Sequence, residues 1–311
     1  MANYLITGGC GFIGSHLAES LLEDGHSVRV LDNLSTGKTA NLSAACELLI
    51  GDVADSAAVE DSMKEVDGCF HMAAVASESN ENWVDAHHVN QTGTINVLNA
   101  ARNNKTPVVY ASSAAVYGDN ADMPLKEYSA IRPLTAYGAD KLGSELHARV
   151  ASLVHGVPTI GMRLFNVYGP RQNPSSPYSG VISIFVERIL KGEALPLFGD
   201  GQQTRDFVYV DDAVCFMRSA MDNIGPTPLV FNVCSGESIS IEQLAKMVMS
   251  LVGERVALKH LPSGKDDIRV SIGDPAYAKQ QLGITARQSL VSGLRMLIEY
   301  ACAEKGAVSY G

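Results

Sequence analysis

Tyr4-Leu5-Ile6-Thr7-Gly8-Gly9-Cys10-Gly11-Phe12-Ile13-Gly14 is the stretch from which this chain's fold can be read. A short apolar strand pattern runs straight into a G-x-x-G-x-x-G spacing, and Ile13–Glu23 then carries a helical pattern. At a strand-to-helix turn each glycine has a physical task. One makes the turn, one lets the backbone approach a pyrophosphate, and one lets helix and strand pack closely. The helix N-terminus then presents free N–H groups and a partial positive charge to phosphates. A glycine spacing alone fits a plain tight turn equally well, and the next strand separates the two readings. It ends in Leu31-Asp32-Asn33. A carboxylate there accepts hydrogen bonds from an adenine ribose and repels a 2′-phosphate, so NAD rather than NADP is the expected cofactor. Gly8, Gly11, Phe12, Ile13 and Gly14 are the candidate phosphate-binding residues, with Asp32 and Asn33 beside the ribose. Asp52 and Val53, ending another strand segment, are placed to meet the adenine, although an ordinary loop aspartate would read the same.

Outward from this turn the first half alternates strand and helix patterns. Strands are expected at Tyr4–Thr7, Ser27–Leu31, Leu48–Ile50, Gly68–Met72, Pro107–Ala111 and Thr159–Leu164. Helices are expected at Ile13–Glu23, Ala57–Glu65, Val84–Arg102 and Tyr137–His155. Strict alternation predicts parallel βαβ units and an α/β fold with a doubly wound parallel (Rossmann) sheet. The pattern changes near Phe165: Tyr168–Gly180 is rich in Pro, Gly and Ser and cannot be regular throughout. Later helical patterns lie at Ile182–Leu190, Ser240–Val252 and Leu290–Tyr300. The expected organisation is a nucleotide-binding domain over 1–166, with 206–234 returning to it. A smaller, discontinuous α/β substrate domain takes 167–205 and 235–311.

Composition narrows the function classes. The 311 residues carry 24 basic and 34 acidic side chains, a formal charge of −10. Nucleic acid and anionic membrane both call for a basic surface, so neither is an expected partner. No apolar run is long enough to span a bilayer, and the N-terminus enters a strand pattern without a signal-peptide arrangement. The six cysteines are scattered and never form C-x-x-C. Reduced thiols in a cytoplasmic protein, without disulfides or a metal site, are expected.

A second constellation points to chemistry. Tyr137-Gly138-Ala139-Asp140-Lys141 places a phenol and an ammonium four residues apart, on one helix face. Tyrosine is a poor base at neutral pH, but a neighbouring cation favours its phenolate. Alone, this spacing fits equally a helical tyrosine beside a solvated lysine. Its context is the strand Val108-Val109-Tyr110-Ala111, which delivers Ser112-Ser113 to the sheet edge where open parallel sheets bind ligands. Ser113 is placed to relay a hydrogen bond between Tyr137 and a substrate hydroxyl, while one of the two serines suits plain turn chemistry. The candidate catalytic set is Ser113, Tyr137 and Lys141.

Taken with His71-Met72-Ala73-Ala74, Val89-Asn90-Gln91-Thr92-Gly93-Thr94, Arg163-Leu164-Phe165-Asn166-Val167-Tyr168-Gly169-Pro170-Arg171, Gly199-Asp200-Gly201 and Thr204-Arg205-Asp206-Phe207-Val208, these motifs resemble the extended short-chain dehydrogenase/reductase family over nearly the whole chain. Within it the sequence is similar to the NAD-dependent nucleotide-sugar 4-epimerases. The resemblance implies that Met72, Ala73, Ala74, Asn90, Tyr137, Lys141 and Phe165 border the cofactor. It implies that Ser113, Asn166, Val181, Phe198, Arg205, Asp267, Arg269 and Ser271 meet a UDP-sugar. Arg205 would pair with the diphosphate, and Arg269 would belong to a loop closing over the nucleotide. It also implies a homodimer built on Val84–Arg102 and Tyr137–His155, and a place in polysaccharide assembly. One departure stands out: Gly264 occupies a position where related sequences carry arginine, with Lys265 following.

Chemistries within that family divide at the residues after Ser113. Dehydratases place an Asp-Glu pair there, whereas this chain has Ala114-Ala115, which move no protons. Oxidation and re-reduction at the same carbon are the expectation that remains. A net oxidoreductase releasing NADH, and a catalytically silent NAD-binding protein, are the rival classes. In the 4-epimerases the residue four positions after the loop aspartate borders the space beside the sugar C2; here it is Ser271, where a tyrosine would admit only a hydroxyl. UDP-N-acetylglucosamine is therefore the expected substrate, with UDP-glucose also accepted. A strict UDP-glucose 4-epimerase is the alternative, with Phe198 or Tyr178 closing the pocket instead.

Overall fold

Neighbouring strand residues in this protein are buried into two different cores. The computed structural model describes residues 1–75, 83–174, 180–263 and 268–308. In it Leu5, Cys69 and Val108 pack on one face of a sheet, and Ile6, Phe70 and Val109 on the other, all fully buried. Period-two side-chain alternation with both faces covered is the signature of a sandwiched parallel sheet.

The elements run β1 (Asn3–Thr7), α1 (Phe12–Glu23), β2 (Ser27–Asp32), β3 (Glu47–Ile50), α2 (Ser56–Ser62) and β4 (Gly68–His71). Then come α3 (Trp83–His87), α4 (Gly93–Ala101), β5 (Val108–Ser113), α5 (Ala136–His155) and β6 (Thr159–Leu164). The second half contributes β7 (Asn166–Tyr168), α6 (Val181–Leu190), β8 (Leu195–Phe198), β9 (Thr204–Arg205), β10 (Phe207–Tyr209) and α7 (Val210–Asp222). It ends with β11 (Leu229–Val233), β12 (Ile239–Ser240), α8 (Ile241–Val252), β13 (Leu258–Leu261), β14 (Val270–Ser271), α9 (Ala276–Leu282) and α10 (Leu290–Val308).

Seven strands form one sheet in the order β3-β2-β1-β4-β5-β6-β11, every pair parallel. This is the doubly wound Rossmann arrangement. The winding reverses between β1 and β4, which opens a crevice at the carboxyl ends of those strands. Helices α2, α4 and α5 cover one face through Val59, Val97 and Ala148, while α1 and α7 cover the other through Leu17, Val214 and Met217. A third core gathers Ile182, Phe185, Leu197, Phe207, Leu244 and Leu294 from α6, β8, β10, α8 and α10. Helix α9 belongs with the sheet: Ala278 shares its core, and the Tyr277 ring lies 5.2 Å from that of Phe231 on β11.

One expected helix is broken. Val84–Arg102 is α3, then a π turn over His88–Thr92, then α4. The reason is Asn90, whose side chain bonds outside the helix. Its Oδ1 accepts from the Val75 N–H at 2.8 Å and its Nδ2 donates to the Val75 carbonyl at 3.1 Å. The wider turn directs both Asn90 and Gln91 inward, where they are buried, and such π bulges recur at functional sites.

Candidate active site

The glycine turn is built so that nothing stands between backbone and ligand. Gly8 adopts φ +72°, and a Cβ there would lie 2.7 Å from the Ala73 nitrogen. A Cβ on Gly14 would overlap the Gly8 carbonyl oxygen. Gly11, the N-cap of α1, has no side chain with which to cap the first-turn N–H groups, leaving them for an anion. Next to them a cleft crosses the carboxyl ends of the strands. At one end it is lined by Asp32, Asn33, Gly51 and Val53; at the other by Met72, Ala73, Ala74, Tyr137 and Lys141. Gly8, Gly11, Phe12, Ile13 and Gly14 line it between.

Asp32 is buried at the tip of β2, where its carboxylate accepts from the Cys10 N–H at 2.9 Å and the Leu34 N–H at 2.8 Å. Each oxygen keeps acceptor capacity for a ribose hydroxyl. Asp52 acts one step back: its Oδ2 accepts from Asn33 Nδ2 at 2.8 Å and its Oδ1 from the Ala54 N–H at 2.8 Å. Asn96 on α4 donates to the Val53 and Ala54 carbonyls at 2.9 and 3.0 Å, a support that sequence reasoning missed. Ser35, Thr36, Gly37, Val75 and Leu164 also line the cleft, and loop residues of this kind carry no periodic signal that would expose them. An adenine dinucleotide fits this donor set, with phosphates at the glycine turn and ribose at Asp32.

Helix α5 carries the candidate catalytic pair. Thr135 caps it by accepting from the Gly138 N–H at 3.0 Å, and Gly156 ends it at φ 71°. Tyr137 therefore lies in the first turn, with Lys141 one turn further on. Lys141 is buried, donates to the Ala111 carbonyl at 2.8 Å, and holds Nζ 5.7 Å from the centroid of the Tyr137 ring. Burial pushes its ammonium down to about 8, against the opposing pull of Asp140. Ser113 ends β5, two residues past the Ala111 that receives Lys141, and its Oγ accepts from the Ala115 N–H at 3.1 Å. His71 bridges the strand ends to the helices beneath, with Nδ1 2.7 Å from Thr7 Oγ1 and Nε2 3.1 Å from Thr94 Oγ1. Burial first, and then the charge of Lys141, push its imidazole down to about 3.

Two expected residues are held by neighbours away from this cleft. Phe165 is buried in the sheet core against Tyr117, ring centroids 6.4 Å apart, and its neighbour Leu164 lines the cleft. Strand alternation turns neighbouring side chains to opposite sides. Arg269 forks onto Asp200 at 2.7 and 2.9 Å on the surface. Its donated hydrogen bonds hold the Asp200 carboxyl down to about 2.

The remaining expected substrate residues gather on the second body. Asn166 Nδ2 donates to the Asp206 carbonyl at 2.9 Å. Arg205 donates to the Thr204 and Ile268 carbonyls at 2.9 and 2.6 Å, and lies in register with Ser271 across β9 and β14. Ser271 is buried, Val181 opens α6, and Phe198 ends β8 half exposed. Asp267, Gly264, Lys265 and Tyr178 lie outside the described residues. Sequence reasoning also missed Asp206, a buried carboxylate accepting from Ser235 N and Oγ and from the Gly236 and Gly273 N–H groups at 2.6–3.2 Å. It ties the strands carrying Arg205 and Ser271 to the turn after β11.

Against this geometry, the family model described as the NAD dependent epimerase/dehydratase family matches residues 4–234. The chain belongs to that family. It is an NAD-dependent enzyme. A solved UDP-glucose 4-epimerase of Thermotoga maritima, with UDP-glucose, superimposes with a TM-score of 0.93 at 34% identity, covering 97% of this chain and 99% of that one. A UDP-N-acetylglucosamine 4-epimerase of Methanobrevibacter ruminantium, in complex with UDP-N-acetylmuramic acid, gives 0.92 at 32% identity over 97% and 99%. A UDP-N-acetyl-alpha-D-glucosaminuronate decarboxylase of Bacillus cytotoxicus is 34% identical over 84% of each chain. The epimerase-family enzyme thus has relatives of more than one chemistry.

Proposed function

We propose that this enzyme interconverts UDP-N-acetylglucosamine and UDP-N-acetylgalactosamine at C4, and that it also acts on UDP-glucose and UDP-galactose. The observation that carries the substrate reading is Ser271. Its side chain is small and buried on β14 opposite Arg205, so the C2 side of a hexose held there meets no bulky wall. The test is incubation with each of the four UDP-sugars without added NAD⁺, followed by product identification. Absence of turnover on UDP-N-acetylglucosamine would end the reading. Ser271→Tyr should lower kcat/KM on the N-acetylated pair by about 10–100-fold, since overpacking a fitted site costs roughly 1–3 kcal/mol. The plain hexoses should keep kcat/KM within about threefold; equal losses on both pairs would contradict the assignment.

Epimerisation is favoured over elimination and decarboxylation by the residues immediately C-terminal to Ser113. Both alternatives add proton transfer at C5, and the turn Ala114–Tyr117 begins with two alanines. NAD bound in the cleft supplies reversible hydride acceptance at the sugar C4. Tyr137, as phenolate, takes the C4 hydroxyl proton; once the 4-keto sugar has turned its other face, Tyr137 returns that proton. Lys141 stabilises the phenolate through its charge, and the Ala111 carbonyl fixes where that charge sits. Ser113 shares the substrate hydroxyl with Tyr137. We assign the NAD-binding domain to 1–166 with 206–234, and the substrate domain to 167–205 with 235–311.

We also infer a homodimer. Leu146, Val150, Leu153 and Val154 form a stripe on α5 that is 57, 51, 59 and 69% exposed, with Ile95 of α4 exposed as well. Offsets of four (Leu146, Val150, Val154) and three (Val150, Leu153) put the stripe on one helix face, an apolar surface of the kind that marks an interface. Native mass at micromolar concentration should give the dimer, and Leu153→Glu should give the monomer; a monomeric wild type would refute the interface. Among the described residues no helix is long and apolar enough to cross a membrane. A reducing cytoplasm is the proposed location, on the six scattered cysteines without a C-x-x-C pair.

A further inference from the structure

Asp140 stands between the Tyr137–Lys141 pair and a histidine on another helix. Its side chain is 10% exposed, whereas that of His87 is 62% exposed. His87 Nδ1 lies 2.8 Å from Asp140 Oδ1, and Asn90 Nδ2 donates to Oδ2 at 3.3 Å. The Asp140 carbonyl accepts from Ser144 Oγ at 3.1 Å and from Gln91 Nε2. Carboxylate and peptide are thus held from α3, the π turn and α5 at once. Aspartate is a poor helix former, and burying its charge is unfavourable unless a partner compensates.

We propose that Asp140 and His87 form a charge-setting couple for the Tyr137–Lys141 pair, Asp140 as a positioning residue and His87 as its pH-responsive counter-charge. The proposal rests on the reading of Tyr137 as the base. A proton relay is not what the geometry calls for, because in epimerisation Tyr137 returns the proton it takes and no net exchange with solvent is needed. An electrostatic role needs only the charges. Asp140 is bonded to His87 from α3 and to neutral Asn90 and Gln91 from the π turn, and shares α5 with Tyr137 and Lys141. His71, by contrast, is buried and bonded to Thr7 and Thr94, so His87 is the histidine whose ring pairs with Asp140.

Coulomb interaction sets the signs. Asp140 raises the proton affinity of its neighbours, so Asp140→Asn should move the acid limb of the kcat profile to lower pH. His87→Gln keeps a donor for Oδ1 but never becomes a cation. At acid pH it leaves Asp140 unscreened and should move the limb to higher pH. Each shift should be about half a pH unit, about a threefold change in kcat one unit below the midpoint. The measurement is kcat against pH, about 5 to 9, at saturating UDP-hexose, on the NAD-loaded enzyme. Shifts in opposite directions support the couple. Unshifted limbs with reduced amplitude, or shifts in the same direction, overturn it. Should Asp140→Asn fail to fold, the exposed His87→Gln decides alone: an upward shift supports the couple and an unmoved limb overturns it. Tyr137→Phe separates the two readings, because an active Tyr137→Phe enzyme removes the base assignment itself. An inert one with unshifted Asp140→Asn and His87→Gln profiles overturns only the couple.

Discussion

Tyr137→Phe should lower kcat by roughly 10²–10⁴-fold, the range that positioned acid–base catalysis contributes. NAD should stay bound, and thermal unfolding should stay within a few degrees of wild type. The phenyl ring keeps the packing beside Lys141, whose Nζ sits 5.7 Å from the ring centroid; only the ionisable oxygen is lost. On the proposed mechanism that oxygen takes the sugar proton and returns it, so both halves of the reaction should suffer together. Single-turnover reduction of bound NAD by UDP-hexose, followed by absorbance, reads the first half alone and should slow as much as overall turnover. A variant that reduced NAD at the wild-type rate would transfer the base role to another group.

Arg163→Met should destabilise the fold by about 3–5 kcal/mol, because it strands a buried carboxylate. Arg163 Nε and Nη2 donate to Glu145 Oε1 and Oε2 at 2.8 and 2.7 Å, both side chains buried. Glu145 also accepts from Ser112 Oγ at 2.5 Å. On its other side Arg163 Nη1 donates to Tyr117 Oη at 2.8 Å, and Tyr117 in turn donates to Asn232 Oδ1 at 2.6 Å. The network bolts α5, which carries Tyr137 and Lys141, to β5, β6 and β11. Urea unfolding of Arg163→Met should show the loss. Adding Glu145→Gln should recover part of it, since the unpaired charge is removed. A loss below about 1 kcal/mol would mean that the pair is solvated or dispensable.

Much of the fold is legible in the sequence because its determinants are local. The Gly8–Gly14 turn needs φ and close approaches that only glycine supplies, so spacing alone places β1, α1 and the phosphate end of the cleft. Thr159–Leu164 is legible to the residue, because the helix before it stops at the left-handed Gly156 and Pro158 cannot continue it. Tyr137 and Lys141 are legible because a four-residue offset fixes a shared helix face, and Asp32 because β2 ends at a definite residue.

What the chain alone decided is therefore the glycine turn, the alternation of strand and helix, and the Tyr–Lys register, each set by interactions within a few residues. Only the tertiary structure decided which distant groups meet. His87 and Asp140 are 53 residues apart in sequence, Tyr117 and Asn232 are 115 apart, and their pairing comes from sheet order rather than from spacing. The π turn, too, exists because Asn90 finds the Val75 backbone 15 residues away. Phe165 went into the core, and Arg269 to Asp200, for the same reason: a side chain's direction is settled by the neighbours that the assembled sheet brings to it, and those neighbours are not encoded in the residue's own local pattern.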